Sequence, residues 1–205
     1  MIQQLLSAHV TLALLAANIL ISIAAFNDPR LLERALFHIG AMRRRGEWYR
    51  MISSGFIHGG PGHLFMNMIT LFFFGPALEN GLGSTNFAMI YFLSLLAGSA
   101  WALMENYRDL NYRALGASGA ISGVTVAFAM FAPFQLLFVF FIPMPAIVFA
   151  VVYIVFSAYA SGSGRQDGIG HGAHLGGALM GLVLVCIFWP QAIRDMFDQV
   201  TGFLP

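Results

Sequence analysis

Six stretches of this 205-residue chain are long and apolar enough to cross a lipid bilayer as helices: about 8–26, 62–78, 87–104, 114–131, 145–160 and 169–189. A span needs about 20 mostly apolar residues. A soluble globule would have to cover six such segments with a polar surface, and the residues for one are missing. Hydrophobic residues make up 59% of the chain and charged ones 9%, against roughly 25% charged in an average soluble domain. The expected fold class is all-α: a polytopic membrane protein of six transmembrane helices, one domain over residues 1–205.

The punctuation fits that reading. Glu79 follows the second window, Asn86 and Glu105 bound the third, and Pro133 stops the fourth. Pro143 and Pro145 interrupt the long apolar stretch of 134–160, so the fifth helix is expected from about 145. Trp189 ends the sixth window, as an interfacial anchor would. The first window lacks a preceding positive region and is longer than a signal core, so it reads as a true span. The connection of residues 27–61 is far longer than usual. It mixes Arg43-Arg44-Arg45 and Trp48-Tyr49 with apolar pairs such as Leu31-Leu32, and reads as amphipathic structure lying in the interface. Net charge is +1, which gives no ground for nucleic-acid binding. The implied partner is the lipid bilayer, and the oligomeric state is left open.

Polar and ionisable side chains inside spans are costly and point to function. His63 and Asn67, four apart and so on one face, lie near the start of the second window; Ser118 lies near the start of the fourth and His174 near the start of the sixth. The second, fourth and sixth helices are entered from the same side, so all four residues share one side at similar shallow depth. A hydroxyl, an imidazole and two further hydrogen-bonding groups there are the parts for acyl transfer. The serine needs a base to remove its proton, a neutral imidazole can act as that base and then as acid, and the oxyanion needs aimed donors. His63, Asn67 and the Ser118 N–H are the candidate donors. Glu79 falls at the far end of its helix and Asp167 outside the sixth, so a Ser118–His174 dyad is expected. Gly119 with Gly123, and Gly177 with Gly181, give small residues at the spacing that lets helix backbones approach. A zinc site from His58, His63, His171 and His174 is the competing reading. The sequence lacks the His-Glu-x-x-His spacing, and no metal or other cofactor is expected.

At these residues the sequence resembles the rhomboid family of intramembrane serine proteases, over essentially its whole length. The matching motifs are Gly116-Ala117-Ser118-Gly119 on the fourth helix and Ala173-His174 with Gly177 and Gly181 on the sixth. On the second helix they are His63 with Asn67, and Glu79 with Gly83. The resemblance implies that Ser118 is the nucleophile and His174 the general base, with His63, Asn67 and the Ser118 N–H as oxyanion hole. The substrates it implies are transmembrane segments of other proteins. A catalytically inactive relative that binds membrane proteins is the alternative; such relatives typically lack the serine or the histidine. Two departures stand out. The tryptophan-arginine pair of the family's first loop reads Trp48-Tyr49-Arg50 here. Position 122, one turn after the nucleophile, is Ser where some members stack an aromatic on the histidine.

Nine of the ten arginines (Arg30, Arg34, Arg43, Arg44, Arg45, Arg50, Arg108, Arg113 and Arg165) fall in the odd-numbered loops. Counting basic residues would put those loops in the cytoplasm; the resemblance puts them outside. The second is preferred, because six of the nine lie in one interfacial loop where they can pair locally or snorkel. A bacterial cytoplasmic membrane is the expected location. The stretch Ser161-Gly162-Ser163-Gly164 is expected to be a loop able to cap the site.

Overall fold

The computed structural model of the protein describes residues 2–139, 142–163 and 170–201. Eleven α-helices account for most of them: α1 (Ile2–Ser7), α2 (His9–Asn27), α3 (Pro29–Ala35), α4 (Ile39–Arg45), α5 (Arg50–Ser53), α6 (Pro61–Leu82), α7 (Ser84–Glu105), α8 (Ser118–Phe131), α9 (Ala146–Gly162), α10 (His171–Phe188) and α11 (Pro190–Thr201). Among the described residues there are also two short antiparallel ribbons, β1 (Phe37–His38) with β2 (Arg113–Ala114), and β3 (Leu136–Val139) with β4 (Ile142–Pro145). By length and composition α2, α7 and α10 can each cross a membrane, and α8 and α9 are shorter apolar helices. The 22-residue α6 is long enough but carries His63, Asn67, Glu79 and Asn80, which lower its hydropathy. The protein is a multi-pass integral membrane protein.

Helix α8 is the centre. Eleven of its 14 residues are buried, which an apolar helix reaches only when neighbours surround it. Helices α6, α7, α9, α10 and α11 all pack on it. The main core joins Leu71 and Leu78 of α6, Phe87, Ile90 and Tyr91 of α7, Ile121 and Val124 of α8, and Leu184 and Val185 of α10. Glycines set the α8–α10 distance. A Cβ on Gly177 would strike the Gly119 carbonyl, and one on Gly181 the Gly123 carbonyl. Gly98 of α7 brings a third backbone close: a Cβ there would lie 2.6 Å from the Ala173 carbonyl oxygen.

The far end of the bundle is closed by a carboxylate. Glu79, 2% exposed, accepts the backbone N–H groups of Val10 and Thr11 at 2.9 and 2.7 Å, the Thr11 hydroxyl at 2.8 Å and the Ser84 hydroxyl at 2.6 Å. The first-turn donors of α2 have no intrahelical acceptor, and an anion at that terminus also favours the helix dipole. Gly83, at φ 84°, makes the turn from α6 into α7.

The long connection of residues 27–61 is ordered. Asp28 caps α3 through the Arg30 N–H at 2.9 Å, and Pro29 opens that helix without losing a needed donor. Arg50, 3% exposed, donates to the Glu33 and Leu36 carbonyls at 2.8 and 2.7 Å and to Glu47 at 2.7 Å. Hydrogen bonds from Arg45 and then Arg50 hold the Glu47 carboxyl down to about 2. This loop grips the segment that leads into α8. β1 pairs Phe37 with Ala114, the Gly40 N–H donates to the Leu110 carbonyl at 2.9 Å, and the Gly116 N–H to the Ser54 carbonyl at 2.9 Å.

Two sequence expectations change, and one unassigned segment proves helical. The fourth helix begins at Ser118, four residues later than expected, because residues 113–114 are drawn into the ribbon with β1 and Gly116 at φ 114° cannot be helical. Ser161 and Gly162 belong to α9 rather than to a loop. There the Ser161 hydroxyl donates to Glu105 at 2.6 Å; Gly164 lies outside the described residues. Residues 190–201, not assigned beforehand, form amphipathic α11, with Ala192, Ile193 and Met196 against the main core.

Candidate active site

The N-terminal ends of α6, α8 and α10 meet at one end of the bundle, opposite the Glu79 clamp. Ser118 is the first residue of α8, so its N–H is among the donors that no intrahelical carbonyl can satisfy. His174 sits one turn into α10, and its Nε2 lies 2.7 Å from the Ser118 Oγ. This is a short hydrogen bond by any measure. The glycine contacts between α8 and α10 explain how two side chains 56 residues apart come to this distance.

His63, the third residue of α6, covers the turn before Ser118. A Cβ on Gly116 would lie 2.6 Å from its Cε1 and 2.8 Å from its Nε2. Gly116 is therefore required twice, by its φ and by the imidazole against it. The Gly59 N–H approaches His63 Nδ1 at 3.5 Å. An imidazole that accepts at Nδ1 carries its proton on Nε2, the nitrogen beside Gly116. Asn67, one turn further, gives one amide hydrogen to the His63 carbonyl at 2.9 Å and keeps its second. The four residues named from sequence spacing thus sit on the same ends of the three packed helices.

Two residues contribute more than their spacing announced. His58, 1% exposed, receives the Ala117 N–H on Nε2 at 3.4 Å and faces the Ser22 hydroxyl with Nδ1 at 2.9 Å. Ser22 in turn donates to the Phe56 carbonyl at 3.1 Å. The donors and acceptors match only for a neutral ring with its proton on Nδ1. Burial, with the neighbouring His63 adding to it, holds His58 down at about 4. Its ring also meets His63 edge-on at 5.0 Å. The second is Tyr153 of α9, whose ring faces the His174 imidazole at 6.1 Å and 24°. The Tyr153 hydroxyl lies 2.6 Å from Ser122 Oγ, and Ser122 bonds the Ser118 carbonyl at 2.6 Å. His171 approaches His174 edge-on at 6.2 Å. No spacing rule relates Tyr153 to His174, because they come from different helices.

Glu79 is at the opposite end, as its helix position implied, and Asp167 lies outside the described residues. Among the described residues no three His, Cys, Asp or Glu side chains gather as a metal site.

The chain matches the Rhomboid domain over residues 45–191. It belongs to the rhomboid family. Over 140 residues it is 39% identical to "Rhomboid protein 1, mitochondrial" of Saccharomyces cerevisiae, covering 65% of this chain and 40% of that protein. It is 27% identical to "RHOMBOID-like protein 12, mitochondrial" of Arabidopsis thaliana over 96% of this chain and 62% of that one. Similarity extends to "Rhomboid-type serine protease 2" of Emericella nidulans, 27% identical over 73% of this chain and 29% of that protein. The chain thus spans less than two thirds of the length of each of these rhomboid relatives. Two of them carry mitochondrial names, and the expected bacterial cytoplasmic membrane finds no support in this rhomboid set.

Proposed function

We propose that the chain is an intramembrane serine endopeptidase that hydrolyses peptide bonds in or near transmembrane segments of other membrane proteins. The observation that carries this reading is the 2.7 Å contact between Ser118 Oγ and His174 Nε2 at the N-terminal ends of two glycine-packed helices. The protease name of a relative adds to it. In this reading α2, α6, α7, α8, α9 and α10 are the six spans, with the site just below the outer face.

His174 Nε2 takes the Ser118 proton as Oγ bonds to the scissile carbonyl carbon. Negative charge then moves to the carbonyl oxygen. The Ser118 N–H, His63 Nε2–H and the second amide hydrogen of Asn67 are the donors aimed at it, in surroundings where each is worth more than in water. Collapse breaks the C–N bond, and His174 returns the proton to the leaving amine. Water then attacks the ester on Ser118 with His174 again as base, releasing the acid and restoring the hydroxyl. The target helix must unwind locally, since a helical peptide bond is shielded from attack.

The test is cleavage of a generic transmembrane substrate by the detergent-purified protein beside Ser118→Ala and His174→Ala. Activity in the parent and a loss of about a thousandfold or more in both variants is expected, with only residual catalysis remaining. Equal cleavage by all three would overturn the dyad. A parent that neither cleaves nor reacts with a serine-directed probe would favour the inactive, binding relative.

A further inference from the structure

We propose that Ser22 of α2 is a positioning residue for the oxyanion hole, acting by holding the His58 ring in the tautomer that accepts the Ala117 N–H. The inference rests on the hydrolytic reading above and deepens it.

The contacts start inside the bundle and end beside the nucleophile. Ser22 is fully buried and His58 is 1% exposed, so each must find its partners within the protein. Ser22 gives its one proton to the Phe56 carbonyl at 3.1 Å. Its oxygen then has only lone pairs to offer His58 Nδ1 at 2.9 Å, and that nitrogen must carry the proton of the neutral ring. Nε2 is left as the acceptor that the Ala117 N–H meets at 3.4 Å.

His58 thereby supports two of the three donors assigned to the oxyanion. Ala117 closes the turn that sets the direction of the Ser118 N–H. That turn is held at two further points, by the Gly116 N–H on the Ser54 carbonyl at 2.9 Å and by the Ile121 N–H on the Ala117 carbonyl at 3.0 Å. His58 also meets the His63 ring edge-on at 5.0 Å. With the Ser22 oxygen removed, the proton on Nδ1 loses its acceptor, and a buried donor without a partner is costly. The other tautomer puts an N–H at Nε2, donor facing donor against Ala117, and displaces the turn before Ser118. Losing one oxyanion donor lowers kcat about a hundred- to a thousandfold; misaiming one forfeits part of that. Helix α2 brings none of the four site residues, so Ser22 acts only through the ring.

The experiment compares the parent, Ser118→Ala, Ser22→Ala, His58→Gln and the Ser22→Ala/His58→Gln double variant in one detergent. It measures kcat and KM on a transmembrane substrate, and the unfolding midpoint. It also measures the rate of labelling by a fluorophosphonate probe, whose phosphoryl oxygen needs the same donors. Ser22→Ala is expected to lower kcat and labelling about 10- to 100-fold with KM within about twofold. On the His58→Gln background the same substitution should change either rate by no more than about twofold, since the ring it acts through is gone. If Ser22→Ala does not fold, Ser22→Cys takes its place, near in size and only a weak acceptor, and the same pattern is expected. A folded Ser22 variant or a His58→Gln protein as fast as the parent would overturn the proposal. So would a loss confined to KM, or an undiminished loss on the His58→Gln background, which would make Ser22 a matter of helix packing alone. A parent that neither cleaves nor labels, or a Ser118→Ala protein as active as the parent, would instead bring down the hydrolytic reading and this proposal with it.

Discussion

Where α8 meets α10, glycines bring backbone against backbone; where α9 meets the same two helices, alanine, valine and aromatic side chains make the contact. On the first side, glycines at 123, 177 and 181 leave no room for a Cβ, and Gly119 leaves only a tight one against the Ala173 carbonyl. On the second, Ala146, Ala150 and Ala178 form a small cluster, and Val148, Val151, Val152, Val155, Phe156 and Tyr159 face outward. Both contacts bear on one imidazole. The seam fixes how far His174 is from Ser118, and α9 meets it through a ring. A distance set by backbone contact cannot drift without moving a helix. A contact made by stacked rings changes whenever a side chain or its helix shifts. The same group is thus approached by two contacts of very different kind.

The strongest way to break that contrast is at the seam. Gly177→Ala puts a methyl onto the Gly119 carbonyl, and since neither backbone can yield cheaply, a loss on the order of 3 kcal/mol is expected. A lower unfolding midpoint together with lost cleavage would show it. An unchanged midpoint would mean the seam is looser than the structure has it.

A comparable effect, spread over pH, is expected at His58. Its folded-state value of about 4 lies below the ordinary 6.5, so the unfolded chain binds the proton more readily. The neutral ring's contribution is complete above pH 6.5 and is lost as pH falls toward 4, on the order of 3 kcal/mol in all. The stability difference between the parent and His58→Asn should shrink by that amount across this window. A difference that stays flat with pH would contradict the hydrogen-bond pattern assigned to the ring.

The smallest effect belongs to the outer face of α9. Val152→Ala should change stability by no more than about 0.5 kcal/mol, because the side chain is half exposed. A loss as large as that of Gly177→Ala would erase the distinction between the two regions.

The sequence made the helical class and the family legible, because apolar length and the spacing of glycine, serine and histidine are local properties. The start of α8 was not. Residues 114–117 are apolar and pass for helix, yet Ala114 pairs with Phe37 and Gly116 turns at positive φ; both facts depend on a loop 60 to 80 residues earlier. Tyr153 was illegible for a related reason, since stacking between helices leaves no periodic trace. Arg50 could be named from its neighbours, but that it bonds two carbonyls of its own loop needed the fold.

Glu79 has one more consequence, for the order in which the molecule is made. The amides it caps, on Val10 and Thr11, leave the ribosome nearly seventy residues ahead of it. Until then the start of α2 must keep its donors in water or among lipid headgroups. Only when α6 is complete can that end withdraw from the polar layer and lock, with Ser84 of the next helix closing over the same carboxylate. The first long helix to be synthesised is therefore fastened at this end only after four further helices have followed it.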